Sequence, residues 1–282
     1  MNYNEKIELS IIATRGRLLG LDAIHSCNSG HIGGAYSSID IITYLYFREM
    51  KIDAQNPTWK ERDRFVLSKG HCTAALYPVL AMRGYFPEKD LLTFRNIDSY
   101  LSGHAEMRHV PGVDMSTGSL AQGFSAAVGM ALGAKLDRSE SRVYTVLGDG
   151  EIQEGQVWEA AMAAAKYKLD NLVAFVDVNG LQIDGTTDEI MPMNPLTDKW
   201  QAFGWNVLEI DGHDFDEIEA ALQKSREVKG KPTVVLAKTI KGRGISFMEN
   251  NVAWHGHAPN NEEYYRARQE LLAALAQLEE MV

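Results

Sequence analysis

Apolar residues along the chain follow two spacings, which predict two kinds of secondary structure. In residues 8–25 they recur at helix-like intervals of three or four positions. Short apolar runs such as 172–178 are typical of strands that are buried on both faces. The pattern predicts helices over 8–25, 38–50, 71–83, 119–131, 156–167, 215–228 and 262–280, and strands over 64–67, 142–147, 172–178, 205–210 and 233–237.

The alternation of these elements predicts the fold class. Strand 142–147, helix 156–167 and strand 172–178 form a βαβ unit, whose two strands run parallel. Strands and helices continue to alternate through 205–210, 215–228 and 233–237. This alternation predicts an α/β fold with a parallel β-sheet flanked by helices on both faces. We expect a single domain over residues 1–282, with a C-terminal helix at about 262–280, because no linker or repeat divides the chain.

Two local features qualify this pattern. Ser37 and Ser38 stand at the start of the second predicted helix, where a hydroxyl can cap a free helical N–H. Residues 84–118 have no periodicity and are interrupted by glycine and proline. Long ordered loops in compact domains often carry function, so we expect this stretch to line a site.

Composition and charge narrow the possible partners. The chain has 282 residues, 45% of them apolar, and a formal net charge of −10, which disfavours nucleic acid as a partner. Its two cysteines, Cys27 and Cys72, lack a paired spacing and are expected to be reduced, as in the cytoplasm. The polar N-terminus does not resemble a signal peptide, and no apolar run is long enough to span a membrane.

A candidate metal site follows strand 142–147. Gly148 and Gly150 allow the main chain to approach a phosphate, and the next helix N-terminus favours an anion, which leaves Asp149 to hold a cation. Asn179 ends the adjacent strand of the βαβ unit, so its amide oxygen should lie near Asp149. Such oxygen ligands beside a diphosphate fit Mg²⁺. Gly-Asp-Gly alone is also common in tight turns, and the placement of Asn179 favours the metal site.

Four of the eight histidines lie beside glycine in loops or at element ends: His31, His71, His104 and His255. A neutral imidazole both donates and accepts hydrogen bonds and titrates near neutral pH, which suits a hydroxyl-rich, phosphorylated ligand. A lone histidine more often caps a helix or turn, whereas four in similar contexts favour one shared site. The histidines without a comparable context are His25, His109, His213 and His257.

These segments together resemble the transketolases, a family of thiamine-diphosphate enzymes. The resemblance runs from about residue 10 to about residue 258, through DRFVLSKGH at 63–71, GHAE at 103–106 and Gly-Asp-Gly at 148–150. It implies thiamine diphosphate and Mg²⁺ as cofactors, with Ca²⁺ or Mn²⁺ as substitutes for the metal. The chain departs from the family pattern in the loops after His31 and His104, where Ile32 and Ala105 replace the usual prolines.

The resemblance implies a role for each matching residue. Asp149, Asn179 and the main-chain carbonyl of Leu181 would bind the metal, and His71 would contact the cofactor diphosphate together with one catalytic histidine, His255. The catalytic histidines, which hold substrate hydroxyls, would be His31, His104 and His255. The remaining positions implied to bind the cofactor are Gly118, Leu120, Gly148, Gly150, Glu154, Glu159 and Ile183. The two glutamates match positions that couple two cofactor sites across an interface.

The resemblance also implies a partner. Transketolases carry a second thiamine-binding domain, with the glutamate that activates the cofactor, and a C-terminal domain. At 282 residues the chain resembles the N-terminal subunit of split transketolases, which implies a separate C-terminal subunit in an α₂β₂ heterotetramer. With that partner it is expected to transfer a two-carbon ketol unit from a ketose or ketose phosphate to an aldose or aldose phosphate.

Three alternatives stay open at this point. The α-subunit of a thiamine-dependent 2-oxo-acid dehydrogenase shares the Gly-Asp-Gly to Asn179 motif, but the contexts of His31 and His104 argue against it. A non-catalytic regulatory homologue has no chemical reason to keep Asp149, Asn179 and the four histidines. The basic stretch 238–244 is either a lid near an anion or an ordinary solvated loop.

Overall fold

A five-stranded parallel β-sheet forms the centre of the protein, of which the computed structural model describes residues 1–282. The strands are β1 (Arg64–Leu67), β2 (Val143–Gly148), β3 (Leu172–Val178), β4 (Asn206–Asp211) and β5 (Thr233–Lys238). Their order across the sheet is β1-β2-β3-β5-β4, and every neighbouring pair is parallel. The helices are α1 (Tyr3–Cys27), α2 (Ile32–Tyr44), α3 (Thr73–Met82), α4 (Gln122–Leu136), α5 (Gly155–Lys166), α6 (Thr187–Ile190), α7 (Leu196–Ala202), α8 (Phe215–Glu227) and α9 (Asn261–Glu279).

Helices cover both faces of the sheet, as predicted. Alternate residues of a strand point to opposite faces, and in β3 Val173 and Phe175 enter one core whereas Ala174 and Val176 enter another. The first core also contains residues of α1, α2, α3 and α8, and the second those of α4, α5 and α7. The predicted α/β fold class is therefore confirmed. None of the helices has both the length and the apolar character needed to cross a membrane.

Most predicted elements agree with the structure to within a few residues, and β1 and β3 agree at both ends. The short helices α6 and α7 were not predicted. A three-residue 3₁₀ helix, Val252–Trp254, was not predicted either, and the end of the predicted helix 38–50 is a π-helical turn, Leu45–Glu49. Residues 84–118 contain only the 3₁₀ helix Glu88–Thr93, in agreement with the predicted loop.

The predicted start of the second helix was wrong. Helix α2 begins at Ile32, so Ser37 and Ser38 lie inside it and cap nothing. Their hydroxyls donate to the carbonyl of Gly34 at 3.1 Å, one turn earlier. All thirteen residues of α2 are buried, and burial of these small and apolar side chains explains why the helix extends towards His31.

The carboxyl ends of four strands meet at one edge of the sheet. Gly148 of β2 is in register with Asp177 of β3, and Asp177 is in register with Ala237 of β5. The loops that follow β1, β2, β3 and β5 therefore converge there. Open parallel sheets bind ligands at this edge, so the fold predicts that these loops form the ligand site.

A close contact between α1 and α3 yields a test of the packing. A Cβ on Gly20 would lie 2.4 Å from the carbonyl oxygen of Ala74, whereas a Cβ on Gly129 in α4 meets nothing within 4 Å. We expect Gly20→Ala to lower the free energy of unfolding by about 1–3 kcal/mol through overpacking. The matched change Gly129→Ala should raise it by about 0.5–1 kcal/mol, because alanine favours a helix interior. Urea denaturation measures both, and a stabilised Gly20→Ala variant would contradict the close packing.

Candidate active site

A cavity of about 330 Å³ opens at the carboxyl edge of the sheet. Every predicted site residue except Glu154 and Glu159 lines it. The predicted residues that line it are His31, His71, His104, Gly118, Leu120, Gly148, Asp149, Gly150, Asn179, Leu181, Ile183 and His255. The sequence analysis did not propose four charged residues that also line it: Lys69, Glu151, Asp177 and Asp184.

A buried ion pair between Lys69 and Asp177 lies at the base of the cavity. Both residues are almost inaccessible to solvent, and the Lys69 ammonium donates to the Asp177 carboxylate and to the Gly34 carbonyl, the latter at 2.7 Å. Burial alone would raise the pKa of Asp177, but the Lys69 charge outweighs it and holds that pKa below its usual value. Asp177 also accepts hydrogen bonds from Ser37 at 2.6 Å and from Thr239. The pair thus joins the ends of β1, β3 and β5 to α2.

Glu151 connects the remaining walls of the cavity. Its carboxylate accepts hydrogen bonds from Ser68 Oγ at 2.5 Å, from the Ala121 amide at 2.9 Å and from the Gly148 amide at 3.0 Å. Burial raises the pKa of this carboxyl. Because its three donors come from the ends of β1 and β2 and the start of α4, Glu151 holds Gly148 beside the loop of Gly118.

Asp149, Asn179 and Leu181 supply a set of hard oxygen atoms. The Asp149 carboxylate is 5% exposed and accepts hydrogen bonds only from the amides of Gly150 at 2.9 Å and Gly180 at 2.5 Å. Burial, followed by repulsion from Asp177, raises the pKa of Asp149 to about 7. This carboxylate therefore lacks a cation of its own.

The donor set suits a hard divalent cation. One carboxylate, one amide oxygen and one main-chain carbonyl are few protein ligands, as is typical of Mg²⁺, which retains waters and phosphate oxygens. No three or more His, Cys, Asp or Glu side chains lie close enough together to hold a metal ion, so the four histidines form no zinc-type site. Gly148 leaves space beside this set, since the nearest atom to a Cβ there would be 3.9 Å away.

The four glycine-flanked histidines converge, as the sequence indicated. The His31 ring centroid lies 5.0 Å from that of His71, 5.6 Å from that of His255 and 6.3 Å from that of His104. His71 and His255 are 5.4 Å apart. The buried Nδ1 of His31 has no hydrogen-bond partner in the protein.

Burial keeps this histidine cluster neutral. Burial and then the nearby Arg95 charge lower the pKa of His31 to about 4. Burial and then Lys241 lower the pKa of His255 to about 3. The pKa values of His71 and His104 also lie below the usual value, with burial as the main cause in both. At neutral pH the cluster can therefore both donate and accept hydrogen bonds.

Lys241 resolves the open question about the stretch 238–244. Its side chain is only 1% exposed, so a purely solvated loop is wrong for this residue. The ammonium contacts His255 Nδ1 at 2.9 Å and donates to the Leu181 carbonyl at 3.2 Å. Burial lowers the pKa of Lys241 to about 8, so it still carries a positive charge at neutral pH. Lys238, by contrast, is exposed.

His213 supports the loop that carries Lys241. Its Nε2 accepts the Ile240 amide at 2.9 Å, so Nδ1 carries the proton and donates to Asp40 at 2.6 Å. Asp40 is held in turn by Arg17, with contacts of 2.6 and 3.0 Å. The other histidines excluded from the sequence-derived cluster make surface contacts: His25 stacks on Tyr264, His109 pairs with Glu106, and His257 pairs with Glu263.

The structure corrects one expectation about the segment after Gly150 and leaves another as a prediction. The long helix α5 begins only at Gly155, after a 3₁₀ turn over Glu151–Gln153, and none of its residues lines the cavity. The expected helix N-terminus therefore does not face the ligand site, because the 3₁₀ turn that contains Glu151 separates α5 from Gly150. Glu154 and Glu159 lie outside the cavity, so their predicted role across an interface stays a prediction.

The fold and the cavity define an α/β protein with a cavity at the carboxyl edge of its parallel sheet, lined by a carboxylate, a buried lysine and neutral imidazoles. The chain belongs to the transketolase family. Its residues 9–274 match the family described as transketolase, thiamine diphosphate binding domain. The predicted membership is thus confirmed.

Individual relatives agree with this assignment. The chain is 50% identical over 267 residues to the 6-deoxy-6-sulfo-D-fructose transketolase subunit SqwG of Clostridium sp. (strain MSTE9), covering 95% of this chain and 97% of that protein. It is 41% identical to an apulose-4-phosphate transketolase subunit of Phocaeicola vulgatus, covering 98% of this chain and 97% of that protein. The transketolase structure from Campylobacter jejuni superimposes with a TM-score of 0.89 at 32% identity, covering 99% of this chain and 46% of that one.

The buried ion pair gives a quantitative test. Removing one partner leaves the other charge buried, so Lys69→Met and Asp177→Asn should each cost about 3–5 kcal/mol of unfolding free energy. The double variant should lose at least about 1 kcal/mol less than the sum. Urea denaturation of the three variants measures the coupling. The same cycle on the half-exposed pair Lys135 and Asp170 is the control and should give less than about 1 kcal/mol; equal couplings would contradict the buried pair.

The depressed histidine pKa values predict a pH dependence. Between about pH 6.5 and pH 4 the unfolded chain takes up protons at His31 and His255 and the folded chain does not, so these residues make stability fall as pH falls. We expect NMR titration of the imidazole C2–H signals to show both still neutral at about pH 5.5, above their folded pKa values. His255→Asn should reduce the slope of unfolding free energy against pH over this window. A titration midpoint near the ordinary histidine value of about 6.5 would show that the cluster is solvated.

Proposed function

We propose that this chain is the cofactor-holding subunit of a two-chain transketolase, which transfers a two-carbon ketol unit between a ketose and an aldose. The observation that carries the proposal is the meeting of the uncompensated Asp149 carboxylate with four neutral histidines in one cavity. The first suits a cation-bound diphosphate, and the second suits sugar hydroxyls. Neither the Asp149 carboxylate nor the histidine cluster alone distinguishes a transketolase from other enzymes that bind a diphosphate.

The diphosphate end of the cofactor is assigned to the floor of the cavity. Asp149, Asn179 and the Leu181 carbonyl would hold Mg²⁺, and the Gly148 to Gly150 main chain leaves room for phosphate oxygens beside it. Lys241 adds a positive charge at the same place, 3.2 Å from the Leu181 carbonyl. We expect Lys241 to contact the diphosphate, because an ammonium donates to phosphate oxygens as readily as to a carbonyl.

The histidine cluster is assigned to substrate. Thiamine diphosphate, when bound, supplies the carbanion chemistry that a two-carbon transfer needs. His31, His104 and His255 would bind substrate hydroxyls and move protons at those oxygens, because neutral imidazole serves as donor and acceptor. His71, the most buried member of the cluster, is assigned to the diphosphate.

A second chain is part of the proposal. The two relatives named as transketolase subunits are matched over 97% of their length, whereas the Campylobacter jejuni structure is matched over 46%. Two acidic side chains of the cavity are already engaged: Glu151 binds three donors and Asp177 pairs with Lys69. We therefore assign the glutamate that activates the cofactor to a C-terminal subunit, in an α₂β₂ assembly.

The relatives' names indicate a class of substrate. One is named for a sulfonated fructose and the other for apulose 4-phosphate, so both names specify a sugar with an anionic substituent. We propose a ketose phosphate or ketose sulfonate as the donor for this chain too. Decarboxylation of 2-oxo acids by the purified pair, without transfer from such ketoses, would favour the 2-oxo-acid dehydrogenase alternative.

Two substitutions separate cofactor binding from catalysis. Asp149→Ala removes the carboxylate ligand and should weaken Mg²⁺-dependent binding of thiamine diphosphate by at least about a hundredfold. His104→Ala should leave that affinity within about threefold and lower kcat/KM by about a hundredfold. Calorimetry and a ketol-transfer assay of the complex with its partner measure the two effects.

The matched control is Asp198→Ala, an exposed carboxylate in α7 without a hydrogen bond, which should change neither quantity. Chelation by EDTA should mimic Asp149→Ala and be reversed by added Mg²⁺. Unchanged cofactor affinity in Asp149→Ala would remove the metal assignment, and absence of binding in every chain and condition would remove the enzymatic role.

A further inference from the structure

The main chain on both sides of Lys241 is held by other parts of the protein. After it, the Gly242 amide donates to the Gly33 carbonyl at 3.0 Å, in the first turn of α2. Before it, the Ile240 amide donates to the ring nitrogen Nε2 of His213 at 2.9 Å. His213 thus fixes the main chain at the residue directly before a side chain that lines the cavity.

Close packing of the turn after β4 places His213 against this loop. The Gly212 amide donates to the Lys238 carbonyl at 2.8 Å, which continues the contact between β4 and β5 beyond the end of β4. A Cβ on Gly212 would lie 2.6 Å from Thr239 Cγ2 and 3.3 Å from the Lys238 carbonyl oxygen, so a side chain there would require the loop to move. The His213 side chain, at 10% exposure, is nearly enclosed as a result.

Asp40 determines which ring nitrogen of His213 carries the proton. Burial alone would raise the pKa of Asp40, but the Arg17 charge outweighs it and lowers that pKa to about 2, so the carboxylate is ionised at neutral pH. An ionised carboxylate only accepts, and it lies 2.6 Å from His213 Nδ1. The proton therefore lies on Nδ1, and Nε2 keeps the lone pair that the Ile240 amide requires. In the other tautomer, two N–H groups would face each other.

The contact with Ile240 matters because the next side chain has little freedom to adjust. The Lys241 side chain is 1% exposed, and its ammonium lies 2.9 Å from His255 Nδ1 and 3.2 Å from the Leu181 carbonyl. Closely packed interiors transmit small displacements to their neighbours. A shift of the main chain before Lys241 should therefore move the ammonium away from both partners.

We propose that His213 is a positioning residue for cofactor binding, which holds the main chain of Ile240 so that the Lys241 ammonium reaches the diphosphate. This inference rests on the proposed function, which assigns that ammonium to the diphosphate. It adds a residue that touches neither cofactor nor substrate and acts through Lys241, with Asp40 fixing the tautomer. The sequence context of His213 separated it from the cavity histidines, whereas the structure connects it to one of them, His255, through Lys241.

Calorimetry of the complex with its partner, Mg²⁺ and thiamine diphosphate tests the proposal. His213→Phe keeps an aromatic ring but removes the acceptor, so the dissociation constant for the cofactor should rise by about tenfold, as for the loss of one charged hydrogen-bonded contact. His213→Gln, whose Oε1 can accept the Ile240 amide, should bind the cofactor within about threefold of the unchanged protein. Lys241→Met should lose at least as much affinity as His213→Phe.

A double variant separates positioning from general support of the fold. If His213 acts through Lys241, then His213→Phe should add less than about twofold to the loss that Lys241→Met causes alone. Losses that multiply would show that His213 acts independently of Lys241 and would overturn the proposal, as would an unchanged affinity in His213→Phe. The matched control is His25→Phe, which replaces a half-buried imidazole stacked on Tyr264 and should not change the affinity.

The tautomer can be measured without any change to the site. In the full chain with ¹⁵N-labelled histidine, correlations between the ring C–H protons and the ring nitrogens should show His213 with its proton on Nδ1. Loss of these signals in His213→Gln identifies them. A proton on Nε2 in the folded chain would exclude the hydrogen bond from the Ile240 amide and overturn the proposal.

The same spectra separate this inference from the proposed function. Without cofactor, the ring signals of His255 should shift in His213→Phe and in Lys241→Met, because each change displaces or removes the ammonium beside Nδ1, and they should stay in place in His25→Phe. If the complex transfers no ketol unit from any sugar, the proposed function fails while these shifts still report the positioning of Lys241. If His213→Phe leaves the His255 signals unmoved, the positioning inference fails, whatever the activity of the complex.

Discussion

The buried pair of Lys69 and Asp177 is the interaction on which the site depends. It places opposite charges, both out of contact with water, at the point where three parallel strands end. Desolvation of two ions is costly, and only close contact and additional hydrogen bonds offset it. Ser37, Thr239 and the Gly34 carbonyl supply those bonds. The same contacts fix the first turns of α2 and the end of β5, from which His31 and Lys241 reach the cavity.

Electrostatics divides the cavity into two regions of different character. On the floor, the ionisable side chains of Asp149, Asp177, Lys69 and Lys241 lie close together, which suits an ionic ligand. Above it, burial and neighbouring cations keep the histidines neutral, so each can both donate and accept a hydrogen bond.

The sequence predicted the fold and the cavity residues well because their signals are local. Apolar spacing located the strands. The site residues Gly148 to Gly150 and Asn179 could then be predicted because they come directly after two of those strands. Lys69, Glu151 and Asp177 were missed as site residues because their roles come from partners distant in the chain, which no spacing reveals. The start of α2 was missed for a similar reason: burial by the surrounding layers, not a serine cap, determines where it begins.

The lining of the cavity also bears on how the chain folds. Its residues come from segments as far apart as His31 and His255, and Lys69 is 108 positions from its partner Asp177. Contacts of such high sequence separation form slowly, because the entropy of closing long loops opposes them until the rest of the sheet is in place. The ligand-binding surface therefore exists only in the completed domain. A bound cofactor would stabilise this chain by mass action on the folded state and would not act as a template for early folding.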